Sequence, residues 1–117
     1  MIKLQTKKGE ISISEAVFTN ITGNAATNCF GVKGMAGKAK ESGIYQLLRR
    51  ESMSKGVSVS YNEDDSISIK LHIVVEHGVN ITTLSSSIMN EVSYKVTEAT
   101  GVKVKSVDIY VDAMNID

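Results

Sequence analysis

Two histidines, a single cysteine, a glycine-rich basic segment and a run of acidic residues are the parts of this 117-residue chain that could do chemistry. A two-histidine metal site needs both rings on one face. His72 falls on the polar phase of an alternating segment, and His77 follows at an odd spacing. A regular strand therefore sends the two side chains to opposite faces, and a metal role is not expected. Cys29 shares a four-residue spacing with Val17, Ile21 and Ala25, which places it on an apolar helical stripe. A thiol there behaves as a small hydrophobe, not as a nucleophile. Serines are abundant, but none sits in a Gly-x-Ser-x-Gly elbow. The acids Glu63, Asp64 and Asp65 lack the ligand spacing of a calcium loop and read as a solvated turn.

The segment from Gly31 to Lys38 needs a closer test. A Walker loop requires Gly-x4-Gly-Lys-Ser/Thr, so that backbone N–H groups and the lysine hold phosphates. Val32 stands where its first glycine should be, Ala39 replaces the metal-binding hydroxyl, and the segment follows a helix rather than a strand. The same residues contain Gly31-x-x-Gly34 and Gly34-x-x-Gly37, read as a loop between two helices, where KH domains clamp a nucleic-acid backbone. Lys33, Gly34, Lys38 and Lys40 are the residues that would meet phosphate or a partner there. A net charge of zero and an aromatic content of 5% weigh against nucleic acid. The competing reading is a connector whose glycines permit positive φ. No catalytic set and no cofactor requirement emerges, so enzyme activity is not expected.

The elements that must position these residues follow from periodicity. Gly9–Ile13 alternates as a short strand, Ser14 suits a helix N-cap, and the apolar stripe from Val17 to Cys29, widened by Phe18 and Ala26, makes a first helix. Residues 31–43 read as a loop and residues 44–50 as a second, shorter helix. Val57–Tyr61 and Ile67–Val75 alternate across a polar turn and make a hairpin. Ile81, Leu84, Ile88, Val92 and Val96 define a long helix from Thr82 or Thr83 to Thr100, with Gly101 as its stop. A closing strand over Val102–Val111 slips phase at Lys105-Ser106, as a bulge or a short turn would make it do. The order is β-α-α-β-β-α-β. It implies a single α+β domain, a two-layer sandwich with a mainly antiparallel sheet and helices on one face. Ferredoxin-like and KH-like strand orders both fit. The other sheet face carries Lys70, His72, Val74 and Tyr110 among serines and acids; apolar groups on such a face mark a contact site.

Hydrophobic residues are 42% and charged residues 22% of the chain, ordinary for a folded globular protein. Residues 33–55 carry a net +4 and residues 56–117 a net −5, an asymmetry suited to orienting a partner. The N-terminus turns polar at once, so no secretory signal is read and a cytoplasmic location is expected.

An ordered set of segments resembles one family. Gly9-Glu10-Ile11-Ser12-Ile13-Ser14 is similar to its opening strand and cap, and Cys29-Phe30-Gly31-Val32-Lys33-Gly34-Met35 to its loop signature. Gly56-Val57-Ser58-Val59 and Val74-Val75-Glu76-His77-Gly78-Val79 resemble its central hairpin. Thr100-Gly101-Val102 and Val107-Asp108-Ile109-Tyr110-Val111 resemble its close. This is the alkaline-shock, or general-stress, protein family of Gram-positive bacteria. The resemblance implies a non-enzymatic role in general or cell-envelope stress, and a protein partner or a homo-oligomer. In some members it implies recruitment to the membrane by an anchoring partner. The compact form resembles the branch often encoded beside a dihydroxyacetone-kinase-like protein, which implies an accessory subunit as a further alternative. The family has no agreed catalytic residues, and none is carried over.

Overall fold

The computed structural model describes residues 2–29, 31–38, 45–47 and 56–115. In chain order the elements are β1 (Ile2–Thr6), β2 (Gly9–Ile13), α1 (Glu15–Thr27), β3 (Val32–Lys38), β4 (Tyr45–Leu47), β5 (Val57–Tyr61), β6 (Ile67–Glu76), α2 (Ile81–Thr100) and β7 (Val104–Asn115). The class is α+β, as the periodicity predicts.

Strand β6 organises the rest. Its odd-numbered residues Ile67, Ile69, Leu71, Ile73 and Val75 are all fully buried under the helices. β-Branched side chains dominate this row, and they pack well on a pleated surface. β5 pairs antiparallel with β6 from Val57↔Leu71 to Tyr61↔Ile67. β7 returns parallel along the whole of β6, from Ile67↔Val104 to Glu76↔Asn115, after α2 has crossed over. The phase slip at Lys105 is a bulge in this ladder: the register steps from Ile67↔Val104 to Ser68↔Ser106.

Helix α2 lays Leu84, Ile88, Val92 and Val96 on the sheet. It starts at Ile81 rather than Thr82 or Thr83, because the Asn80 side chain accepts a hydrogen bond from Thr83 N at 3.0 Å and caps the first turn. Gly101 ends it in the left-handed conformation, its N–H bonded to Thr97 O at 2.8 Å. Helix α1 packs on the same layer, but its inward face is turned from the expected stripe. Phe18, Thr22, Ala25 and Ala26 are buried, while Val17 is exposed. The aromatic ring brings far more apolar area than valine and takes the core position.

Three expectations are corrected. The segment expected as a glycine loop contains strand β3 over Val32–Lys38. The hairpin of β5 and β6 stops pairing at Leu71, which leaves the second half of β6 without a partner on that side. β3 fills it antiparallel, through Val32↔Val75, Gly34↔Val74 and Met35↔Ile73. The expected second helix over 44–50 is replaced, where described, by β4, paired with β3 from Ala36↔Leu47 to Lys38↔Tyr45. The chain also opens with an unforeseen strand, β1, joined to β2 in a separate hairpin from Ile2↔Ile13 to Thr6↔Gly9. The main sheet therefore runs β4-β3-β6-β5, with β7 on the opposite side of β6. The KH-like placement fails, since Gly34 and Gly37 lie within a paired strand and not between helices.

Candidate functional site

The polar face of β6 and β7 brings together the residues predicted for it. The parallel register sets Lys70 beside Asp108 and His72 beside Tyr110. The His72 and Tyr110 rings stack with centroids 4.8 Å apart and planes 14° from parallel. Beyond Tyr110 the register shifts again, from Ile73↔Val111 to Val74↔Ala113, so Asp112 is the extra residue of a second bulge. Bulges re-aim side chains. Here His72 Nδ1 donates to Asp112 Oδ2 at 2.9 Å. The carboxylate can only accept, so it fixes the proton on Nδ1, and in the neutral ring Nε2 is left as an acceptor. The Asp112 side chain is 10% exposed and that of His72 40%, which makes Asp112 the buried anchor of the pair.

Asp112 is the residue that sequence reasoning missed. Its parity placed it on the same face as His72, but the contact depends on the bulge, which periodicity does not reveal. Val74 is a correction. Its strand phase predicts an exposed apolar contact, yet it is only 8% exposed, flanked by Gly34 on one side and Ala113 on the other. Tyr110, in contrast, is 42% exposed. The basic set lies only partly within the described residues. Lys33 is an exposed bulge residue where the register moves from Val32 to Gly34, and Gly34 is buried. Lys38 belongs to β3, its side chain outside the described set, and Lys40 lies outside the described residues.

Cys29 is half-buried just past the end of α1, where its Sγ–H donates to Ala25 O at 3.4 Å. Burial first, and the charge of Glu91 second, push the thiol above its ordinary value. The thiolate fraction at neutral pH is therefore lower than in a free cysteine. Alkylation by iodoacetamide at pH about 8 is expected to run slower in the native protein than in the urea-unfolded chain. Equal rates would contradict this account of Cys29. The described residues contain no group of three or more His, Cys, Asp or Glu placed to hold a metal ion.

Known proteins share both the sequence pattern and the fold. The model of the alkaline shock protein family, described as having a cell envelope-related function, matches residues 3–116. The chain belongs to this family. The match agrees with the resemblance read from the segments quoted above. Among relatives, this chain is 37% identical to the uncharacterized protein YloU of Bacillus subtilis (strain 168), over 98% of this chain and 96% of that protein. It is 34% identical to the uncharacterized protein Spy1614 of Streptococcus pyogenes serotype M6, over 98% and 95%. Among solved structures, the zinc form of the MamM CTD variant D249N superimposes with a TM-score of 0.51 at 16% identity. The match covers 86% of this chain and 87% of that one. The copper form of the MamM CTD gives 0.52 at 16%, over 87% and 88%. These likenesses show a shared α+β fold and nothing about ligands. Within the described residues of this alkaline-shock-family chain, no helix is long and apolar enough to cross a membrane.

Proposed function

We propose that this alkaline-shock-family chain is a non-enzymatic binding or scaffold module of the cell-envelope or general stress response, and that it docks a protein partner or a second copy of itself. The observation that carries this reading is the exposed Tyr110 ring, stacked on His72, which Asp112 holds in turn. Aromatic residues anchor protein interfaces out of proportion to their number. One whose position is already fixed loses little freedom on binding. Lys70 and Asp108 beside the stack supply opposite charges at its rim, suited to selecting orientation rather than to adding much affinity. In this reading the protein works in the cytoplasm and meets the membrane only through an anchoring partner.

Light scattering of the purified chain over a range of concentrations tests the self-association arm. A rise in mass with concentration is expected, reduced by Tyr110→Ala. A strict monomer at the highest concentration would remove that arm and leave only a foreign partner.

A further inference from the structure

A cleft of about 690 Å³ lies between the C-terminal end of α1 and the N-terminal half of α2. Its size falls in the range of roughly 300–1,000 Å³ that takes a small ligand or a few residues of polypeptide. Asn80, Thr83, Leu84, Ser87 and Glu91 recur at helical spacing and line one wall, and Asn28 and Cys29 line the other. Among these lining residues there is one carboxylate, Glu91, and no cationic side chain. Glu91 is half-buried, and among the described residues no ion pair or hydrogen bond engages it. A half-buried carboxylate without a partner is a place where a cation gains a charge-assisted contact.

We infer that this cleft receives an arginine or lysine side chain of a partner polypeptide, with Glu91 as its counter-charge. The inference rests on the protein-binding reading above and adds a second contact, on the helix layer. Three features favour a polypeptide over a free amine. The cleft is far larger than one cationic head requires. Val79 and Leu84 supply apolar surface for the stem of a long basic side chain. The Asn28 and Asn80 amides match peptide groups: Asn80 Oδ1 is occupied in capping Thr83 N, so its NH2 remains to donate to a backbone carbonyl.

The test is an amide NMR titration of the full chain with three probes. These are a capped pentapeptide with arginine between two valines, the same peptide with glutamate in place of arginine, and n-butylammonium. The arginine peptide is expected to shift Asn28, Asn80, Ser87 and Glu91 saturably. The glutamate peptide should leave them unmoved, and Glu91→Gln should weaken arginine-peptide binding by about tenfold or more. Glu91 is not in the core, so the substituted protein should keep its native spectrum. Equal binding to Glu91→Gln, or no preference for arginine over glutamate, overturns the inference. If n-butylammonium binds as tightly as the peptide, the cleft is a small-amine site and the polypeptide assignment falls. Tyr110→Ala leaves the cleft intact and is expected to bind the arginine peptide like the wild type. Loss of peptide binding alongside retained Tyr110-dependent association would overturn the cleft and leave the sheet-face proposal standing.

Discussion

Phe18→Ala is expected to lower the free energy of unfolding by about 3–5 kcal/mol, the range for deleting a buried aromatic. Phe18 is 0% exposed, the largest fully buried side chain on α1, and sits where that helix meets the sheet. Its ring also meets Tyr61 edge-on, with centroids 6.4 Å apart and planes at 70°, which ties α1 to the end of β5. An edge-to-face pair adds about 0.5–1.5 kcal/mol beyond the area it buries. A domain of this size is stable by about 5–15 kcal/mol, so the loss removes a large share of it. Urea unfolding followed by circular dichroism measures it. Tyr61→Phe keeps the ring pair and should cost far less. A loss below about 1 kcal/mol for Phe18→Ala would mean that α1 does not seat this ring as described.

Gly31→Ala is expected to cost about 2 kcal/mol or more, for two separate reasons. Gly31 has φ of +100°, where a side chain is strained, and a Cβ there would come within 2.9 Å of Val79 Cγ1. Little can yield, because the Gly31 carbonyl accepts from Glu76 N at 2.8 Å and fixes the start of β3 against the end of β6. Gly78 provides the internal control. Its φ is +89°, but a Cβ there meets nothing within 4 Å. Gly78→Ala should therefore show the backbone cost alone, and the difference between the two variants isolates the clash with Val79. If both cost the same, the close approach of Gly31 to Val79 is wrong.

Gly31 also marks where local pattern gives out. The alternating hairpin, the α2 stripe closed by Gly101 and the slip at Lys105 were legible, because each is a local pattern of apolar spacing or a single residue with one structural use. β3 was not legible. Gly34, Ala36 and Gly37 carry little or no side chain, so the segment has no alternation to read. Its identity as a strand comes from the part of β6 that β5 leaves unpaired, which is a tertiary fact. β1 was obscured by its length, since two apolar residues, Ile2 and Leu4, are too few to establish a period.

The candidate site divides in the same way. Parity alone put His72, Tyr110 and Asp112 on one polar face. The stack required the parallel register set by the α2 crossover, and the hydrogen bond required the bulge at Asp112. Val74 misled for the converse reason: its parity was right, yet it is only 8% exposed, and alternation along one strand does not report what covers a face. The Glu91 cleft had no sequence signal, because its walls come from two helices far apart in the chain.

Capture on the immobilised 117-residue chain tests the sheet-face account most directly. Wild-type protein and a Tyr110→Ala variant with an unchanged unfolding midpoint would be exposed in parallel to cell lysate and to the soluble chain itself. Saturable binding of a discrete protein or of the chain is expected for the wild type, with a loss of about tenfold or more for Tyr110→Ala. Equal capture by the two, or none by either, would contradict the claim that this protein acts by docking through the His72–Tyr110 face.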